Sequence, residues 1–331
     1  MLASLNKQIK KATLNRVAFL LLASCLVSGC FSDETEYALI TNQLANNVSV
    51  IDINRQQVIK NITVGDSPAG ISISQTKQLA FVTNPDSQTV SFIDLNTLAE
   101  TRQVTVGPGP VGIIADKAGK YVYVADWYDN NIMVIEVDTG AIIKTITVGQ
   151  SPAGMVLDES QQRLYVANRD DNAVAFIDLN NQQVVRSVDT GKAPFGMAIS
   201  PDGKFAYSVN VQSSDVTVIN TQTAEVVTTI PVGEWPYCAV VSPDGKKLYI
   251  TNQDDSTISV IDTQTNQVTN TIPVEDAPEG IDITADGSLI YVANWGSGNM
   301  TVIDAQTEKP LRVIETAKGS RAFGDFISHI E

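Results

Sequence analysis

The chain repeats one pattern of residues every 42 positions. The first mark of this pattern is a tetrapeptide such as YVAN, which ends at Asn42, Asn84, Asp126, Asn168, Asn210, Asn252 and Asn294. Ten residues later an alternating apolar run closes on a second polar mark, at Asp52, Asp94, Glu136, Asp178, Asn220, Asp262 and Asp304. A third mark, V-G-x-x-P-x-G, is complete at residues 64–70, 106–112 and 148–154. Three marks that keep one period indicate seven copies of one structural unit.

Each unit contains four short apolar segments, which in the fourth unit are RLYVAN, AVAFID, QVVRSV and FGMAIS. β-Branched and aromatic residues with a period of two, bounded by Gly, Pro, Asn and Asp, predict β-strands. Four strands in each of seven units predict an all-β fold, a seven-bladed β-propeller of four-stranded antiparallel blades. We name the strands of a blade A to D from the axis outward. The tetrapeptide then lies on strand B, the second mark ends strand C, and the third mark leads into strand A of the next blade.

The two ends of the chain predict how the ring closes. Residues 37–41 form a strand B without a preceding strand A, and residues 323–328 resemble a strand A without a following strand B. We expect the C-terminal strand to join the N-terminal blade, which leaves no free sheet edge. Strand direction alternates, so the D–A and B–C loops share one face of the ring, here called the top face.

The first 29 residues have the layout of a secretory signal. Basic residues up to Arg16 precede an uncharged apolar run at residues 17–29, which is shorter than the roughly 20 residues that span a bilayer as a helix. The run ends in V-S-G-C, which resembles the bacterial lipoprotein lipobox. This predicts a cleaved signal peptide at residues 1–29, lipidation of Cys30, a linker over residues 30–36 and a propeller over residues 37–331. Lipidation of Cys25 and plain secretion are the alternatives.

A lipidated Cys30 predicts a protein of the cell envelope that is anchored by its lipid and faces the periplasm. Phe31 and Ser32 after the cysteine resemble the signal for sorting to the outer membrane. Four of the 22 basic residues lie before position 17, so the mature chain has 18 basic against 37 acidic residues and a net charge of −19. Such a charge repels phosphate backbones and disfavours nucleic-acid binding. We expect a monomer that contacts the membrane only through its lipid.

The tetrapeptides and the V-G-x-x-P-x-G marks resemble those of the YVTN-type β-propeller repeat family, over residues 37–330. The resemblance implies the propeller fold. It leaves the activity open, because members of this family and its relatives serve as binding proteins, enzyme subunits and lactonase-like enzymes.

The top-face loops carry the candidate binding residues. Large aromatic and cationic side chains concentrate there, as is typical of recognition surfaces. The candidates are Trp127, Tyr128, Arg169, Phe195, Trp235, Tyr237, Trp295 and Arg321. The alternative is that these side chains only fill space between adjacent blades.

The chain lacks the residues that most catalytic and cofactor sites of propellers need. Its one histidine is His329, and once Cys25 and Cys30 are assigned to the leader only Cys238 remains, in a position that is Gly in other units. We therefore assign no catalytic, metal or cofactor residues. The leading hypothesis is a non-catalytic platform in the envelope that binds a protein, peptide or polymer through the top face. The alternatives are a lactonase-like hydrolase with a carboxylate and an arginine at the channel mouth, or a scaffold subunit of a periplasmic redox complex.

Overall fold

A computed structural model of the chain describes residues 36–328. The predicted signal peptide, Cys30, the linker up to residue 35, and His329 lie outside the described residues. Within the described part, no helix has the length and apolar character needed to cross a membrane.

The described residues form 28 strands, and the A strands of blades 2 to 7 surround the axis. Blade 1 contains β1 Tyr37–Asn42, β2 Asn47–Asp52 and β3 Gln57–Thr63; blade 2 contains β4 Gly70–Ser74, β5 Leu79–Asn84, β6 Thr89–Asp94 and β7 Ala99–Thr105. Blade 3 contains β8 Pro110–Ala115, β9 Tyr121–Asp126, β10 Asn131–Glu136 and β11 Ala141–Thr147; blade 4 contains β12 Pro152–Asp158, β13 Arg163–Asn168, β14 Ala173–Asp178 and β15 Gln183–Asp189. Blade 5 contains β16 Pro194–Ile199, β17 Phe205–Asn210, β18 Asp215–Asn220 and β19 Glu225–Pro231; blade 6 contains β20 Pro236–Val241, β21 Lys247–Asn252, β22 Thr257–Asp262 and β23 Gln267–Pro273. Blade 7 contains β24 Pro278–Ile283, β25 Leu289–Asn294, β26 Asn299–Asp304 and β27 Lys309–Glu315, and β28 Phe323–Gly324 follows.

The sheets confirm the predicted all-β architecture of seven blades with antiparallel strands. In blades 2 to 7 the four strands pair in chain order, from the axis outward. Strands B and C, such as β9 and β10, are buried on both faces because a neighbouring blade packs on each side, whereas the outermost strand β11 is exposed except at its penultimate residue.

The C-terminal segment closes the ring beside β1, as predicted. The backbone N–H of Leu39 donates to Phe326 O at 2.9 Å, and that of Ser328 donates to Tyr37 O at 2.7 Å. The segment is less regular than a normal strand A: next to β1 it forms only isolated bridges, and its short strand β28 pairs in parallel with β4 of blade 2. It therefore joins blade 1 to blade 2 as well as completing blade 1.

The repeated Asn at the end of strand B ties strands B and C together at the top of a blade. In blade 7, Nδ2 of Asn294 donates to Asn299 Oδ1 and to Thr301 Oγ1, both at 2.9 Å. Asn42, Asn84, Asn210 and Asn252 make equivalent pairs of bonds. The polar mark that ends strand C accepts backbone N–H groups of the following turn, as Asp52 does from Arg55 at 2.8 Å. Both marks are therefore structural.

The glycine in strand A lets successive blades approach closely at the axis. A methyl group added to Gly112 of β8 would lie 1.9 Å from Ala153 O in β12, and Gly154 meets Phe195 O in the same way. Cys238 occupies the equivalent place in β20 and is buried, as expected for a small core residue. Burial raises the pKa of its thiol, so the neutral, unreactive form prevails.

Candidate functional site

Two sets of repeat positions surround the top mouth of the central channel. The first set follows the Asn mark directly and consists of Gln43, Pro85, Trp127, Arg169, Val211, Gln253 and Trp295. The second set precedes the glycine position of strand A and consists of Ala69, Val111, Ala153, Phe195, Tyr237, Glu279 and Phe323. The propeller brings these positions from all seven repeats to one end of the axis.

Members of both sets line a single cavity of about 480 Å³ at the top mouth. Its lining residues are Gln43, Ala69, Pro85, Gly109, Val111, Trp127, Tyr128, Arg169, Phe195, Val211, Trp235, Tyr237 and Arg321. Seven of the eight candidate residues are among them. Trp295 is the exception. Its indole Nε1 donates to Gln43 Oε1 at 2.9 Å, so that it supports this lining residue and does not line the cavity itself.

The aromatic side chains divide into a buried group and an exposed group. Phe195 is buried, and its ring centroid lies 4.4 Å from that of Tyr237 and 4.9 Å from that of Phe323. These three rings pack against one another at the channel mouth, so packing accounts for them. By contrast, 71% of Tyr128 and 40% of Trp235 are exposed at the rim. The exposed aromatics have no comparable packing role.

Trp235 also has an unusual backbone conformation, with φ at +53°. The equivalent residues Ser67, Ser151, Ala193 and Ala277 share this left-handed conformation, so the D–A loop requires it. Any residue with a Cβ is disfavoured there by roughly 1–2 kcal/mol relative to glycine, and a bulky residue is rare in this conformation. Blade 6 therefore carries an exposed tryptophan at a position where the other blades use small residues.

Arg321 forms a buried charge pair on one side of the cavity. Its Nε lies 2.8 Å from Oε2 of Glu279, which is only 4% exposed, and its Nη2 donates to the hydroxyl of Tyr237. Gln253 donates to the other oxygen of Glu279 at 2.9 Å. Burial raises the pKa of the Glu279 carboxyl, and the nearby guanidinium opposes that shift. The positive charge of Arg321 is thus balanced by the buried carboxylate of Glu279.

Arg169 stands over Trp127 on another side of the cavity. Its guanidinium carbon lies 5.7 Å from the indole centroid, within the range of a cation–π contact, and its Nη1 lies 2.6 Å from Oδ1 of Asp170. Both cavity arginines are therefore paired with carboxylates. The cavity offers flat aromatic and guanidinium surfaces and little net charge.

The lining residues limit the chemistry of the cavity. None of them is Ser, Thr, Cys, His, Asp or Glu, so general acid–base or nucleophilic groups are confined to the tyrosine hydroxyls. Burial raises the pKa of Tyr237, which disfavours its anion. Within residues 36–328, His, Cys, Asp and Glu nowhere gather in groups of three that would hold a metal ion.

Residue type alone misses several parts of this site. Gln43, Pro85, Val111 and Val211 line the cavity, although they have no chemistry that attracts notice, and Glu279 is not among the eight candidates. A usable signal is present in the repeat, because each of these residues lies at one of two fixed places in it. Comparing those two places across all seven units identifies most of the lining residues from the sequence.

Two family models match parts of the chain. The model described as "Lactonase, 7-bladed beta-propeller" matches residues 181–319, and the model "Cytochrome D1 heme domain" matches residues 119–239. Each match covers less than half of the chain. No curated protein matches the chain significantly.

Solved structures with the same fold have distant sequences. Hydrazine synthase of Kuenenia stuttgartiensis is 22% identical over 76% of this chain and 87% of its own, with a TM-score of 0.70. A protein of unknown function from Desulfotomaculum acetoxidans DSM 771 is 15% identical, over 89% and 99%, with a TM-score of 0.78. Dihydro-heme d1 dehydrogenase NirN, solved in complex with DHE, is 18% identical, with a TM-score of 0.66; the match covers 84% of this chain but only 63% of NirN.

The haem-binding relatives raise the question of whether this cavity fits a haem. Axial haem ligands in proteins are mainly His, Met, Cys and Tyr. Residues 36–328 contain no histidine, and the cavity lining contains neither Met nor Cys. The buried hydroxyl of Tyr237 is bonded to Arg321, which leaves it a poor ligand. The residues present do not fit a ligated haem iron.

The chain is a seven-bladed propeller whose fold is related to the lactonase propeller, the cytochrome d1 haem domain, hydrazine synthase and NirN.

Proposed function

We propose that this chain is a non-catalytic binding protein that takes up a segment of a partner protein or peptide in its top-face cavity. The observation that carries the proposal is the pair of exposed aromatics, Tyr128 and Trp235, at the rim of a concave site without acid–base groups other than tyrosine. Exposed Tyr and Trp beside Arg are the residues that most often anchor protein interfaces.

The cost of placing Trp235 in its loop supports the same interpretation. Small residues satisfy the left-handed conformation in four other blades, so folding alone does not favour tryptophan. The paired charges of Arg169 and Arg321 suit a ligand with apolar and aromatic groups better than a strongly charged one.

The partner we favour is a redox protein of the envelope, with this chain as a scaffold subunit. The family match to the cytochrome d1 haem domain and the fold shared with hydrazine synthase motivate this choice. A partner would then supply the cofactor that this cavity does not fit.

A lactonase-like hydrolase is the second candidate, because the lactonase model matches residues 181–319 and a carboxylate–arginine pair lies beside the mouth. The geometry favours it less. Glu279 is 4% exposed and covered by Arg321, so a substrate in the cavity does not reach its carboxylate.

The envelope location is part of the proposal. Tyr37 begins β1 at the bottom face, and the few residues between it and Cys30 span at most about 20 Å when extended. A lipid on Cys30 would hold the bottom face against the membrane and present the cavity outward. A Cys30→Ser variant should lose palmitate labelling, and a variant that still labels would refute this anchor.

The binding proposal is tested by site-specific photo-crosslinking of the full chain in intact envelopes. A photoreactive residue at Tyr128 should yield a specific adduct, while one at Val227, which is 49% exposed on the outermost strand β19 of blade 5, should not. The captured partner, once purified, should bind at least tenfold more weakly to Trp235→Ala and equally well to Val227→Ala.

The opposite results favour the alternatives. Equal adducts at both positions would overturn the top-face proposal. Hydrolysis of a lactone panel that is abolished by Glu279→Gln would establish the enzyme instead.

A further inference from the structure

Blade 3 departs from the other blades at the loop that presents Trp127 and Tyr128. Its strand B ends in Asp126, where the six other repeats have Asn. Its D–A loop contains Pro108, and its B–C loop contains Asp129. These three residues lie around Gly107.

In five other blades a backbone N–H joins these two loops. The residue after the D–A glycine position donates to the residue three places after the Asn mark. The pairs are Asp66 with Ser87, Gln150 with Asp171, Lys192 with Ser213, Glu234 with Asp255, and Asp276 with Ser297. In blade 3 the donor position is Pro108, which has no N–H. The Asp129 carboxylate therefore lacks the donor that serves its counterparts.

Asp126 is fully buried and only half satisfied. Its Oδ1 accepts the backbone N–H groups of Tyr128 and Asp129, both at 3.0 Å, and so shapes the loop. Its Oδ2 is buried with no hydrogen-bond partner. A methyl group built on Gly107 would lie 1.7 Å from Asp126 Oδ2 and 3.5 Å from Asp129 Oδ2. The two carboxyl groups thus approach the same point.

Two facing carboxylates, one of them buried, are unfavourable when both are ionised. Burial destabilises the charged form of a carboxyl group. When two carboxylates share a site, the pKa of one of them is raised strongly. Burial does raise the pKa of Asp126 and the charge of Asp129 adds to the shift, while the backbone N–H groups of Asp129, Tyr128 and Gly109 oppose it. A proton on Asp126 Oδ2 removes one charge and turns the orphaned acceptor into a donor.

We propose that Asp126 and Asp129 hold one proton between them, and that this protonated Asp126 is the positioning residue for the Trp127–Tyr128 loop of the cavity. The proton comes from solvent and returns there when the pair ionises. Loss of the proton leaves two adjacent negative charges, and their repulsion loosens the loop as pH rises, against the N–H groups of Tyr128 and Asp129 that Oδ1 still accepts. The consequence for ligand binding rests on the proposed function, whereas the proton itself does not.

The surroundings of Asp126 contain no competing titratable group among the residues that the structure describes. Strand β8 presents Pro110, strand β10 presents Asn131, and the D–A loop presents Gly107, Pro108 and Gly109. Asp129 is the one charged neighbour. The nearest cation on the cavity wall, Arg169, stacks on Trp127 and is paired with Asp170.

The test is a titration of the aspartate carboxyl groups by ¹³C NMR in the ligand-free full chain. The signal lost in Asp126→Asn should titrate well above the ordinary aspartate range, and Asp129→Asn should lower its midpoint. Asp126→Asn should fold normally, because six repeats carry Asn there. An Asp126 carboxyl that titrates in the ordinary range would overturn the proposal.

Two matched variants sharpen the test. Pro108→Gln restores the N–H donor that serves the counterpart of Asp129 in blade 4. It should lower the midpoint of Asp126, because a donor beside the two carboxylates favours the doubly ionised pair. Asn168→Asp places the same acid in blade 4, where the Gln150 N–H still serves Asp171. Its new carboxyl should titrate at lower pH than Asp126, and an equal or higher midpoint would contradict the role of Pro108.

Binding of the crosslinked partner gives an independent readout. Its affinity for the wild-type chain should fall as pH rises through the Asp126 midpoint, by at most about tenfold per pH unit for one proton, and should stay level in Asp126→Asn. A raised Asp126 midpoint without any top-face partner would refute the proposed function but keep the proton pair. A level wild-type binding profile would refute the positioning role.

Discussion

The buried positions of the blades, here called wall positions, are nearly alike in the seven repeats, whereas the positions at the top mouth of the ring differ. Asn168 and Arg169 are adjacent in sequence, yet Asn168 belongs to the wall and is buried, while Arg169 faces the cavity. Six of the seven repeats have Asn at the first position, with Asp126 the exception, whereas the second position holds five different residue types. Buried positions within the blades are nearly uniform, and positions that face the cavity are free to differ.

Packing explains this contrast. Each wall position has similar neighbours in every blade, so one residue type fits the space in nearly all of them. At the mouth no neighbouring blade imposes a shape. Differences between repeats there produce an asymmetric cavity on a symmetric scaffold.

Ionisation of the buried wall tyrosines at alkaline pH should unfold the propeller, and this is the largest effect on stability that we expect. Burial raises the pKa of five wall tyrosines to about 12, at Tyr123, Tyr165, Tyr207, Tyr249 and Tyr291. Between pH 10 and 12 the unfolded chain has lost phenolic protons that the folded chain keeps. The free energy of unfolding should therefore fall as pH rises, by up to about 2.7 kcal/mol per tyrosine.

Circular dichroism against pH, with absorbance of the tyrosinate, would show cooperative unfolding between pH 10 and 12. Tyr291→Phe is the control, because its hydroxyl is buried without a partner and blade 2 has Phe81 in the same place. The variant should match the wild type at pH 7 and resist alkali better. A fold that persists unchanged at pH 12 would contradict the prediction that ionisation of these tyrosines destabilises the propeller.

A single methyl group in a wall should cost less but still be severe. Gly112→Ala places a carbon 1.9 Å from Ala153 O, and the backbone of two inner strands must move apart. We expect a loss of about 3 kcal/mol in the free energy of unfolding, measured by urea denaturation. Gly245→Ala is the comparison: it lies in a surface turn with φ at +72° and should lose about 1–2 kcal/mol. Equal losses would mean that close approach at the axis is unimportant.

Truncation at the mouth should have the smallest effect on stability. Tyr128 is 71% exposed, and Tyr128→Ala should change the free energy of unfolding by less than about 0.5 kcal/mol. The same denaturation measurement would decide. A loss above about 1 kcal/mol would show that the mouth, too, is selected for folding.

The fold could be predicted almost completely from the sequence, because the same pattern of strands and turns occurs seven times in it. The strands, the number of blades and the closure at residues 323–328 followed from period and polarity alone. The pairing of Phe323 with Gly70 did not, since the closing segment has no second copy with which it can be compared. The last strand of a ring is the one element that repetition does not describe.

The site was predicted in part. Residue type identified seven cavity residues, but it also included Trp295, whose indole binds Gln43. It gave no indication that Glu279 and Arg321, 42 positions apart, form a buried pair. Contacts of this kind depend on side-chain direction at the mouth, which the period does not specify.

The sequence by itself determined the seven blades, the top face and the chemical character of its loops. Only the tertiary structure decided which aromatics are exposed, which charges are paired, and that Asp126 lies buried against Asp129 beside a proline without an N–H. The physical reason is that the backbone hydrogen bonds of the blades repeat with the chain. Each meeting of unlike side chains at the mouth occurs once, and the period does not specify it.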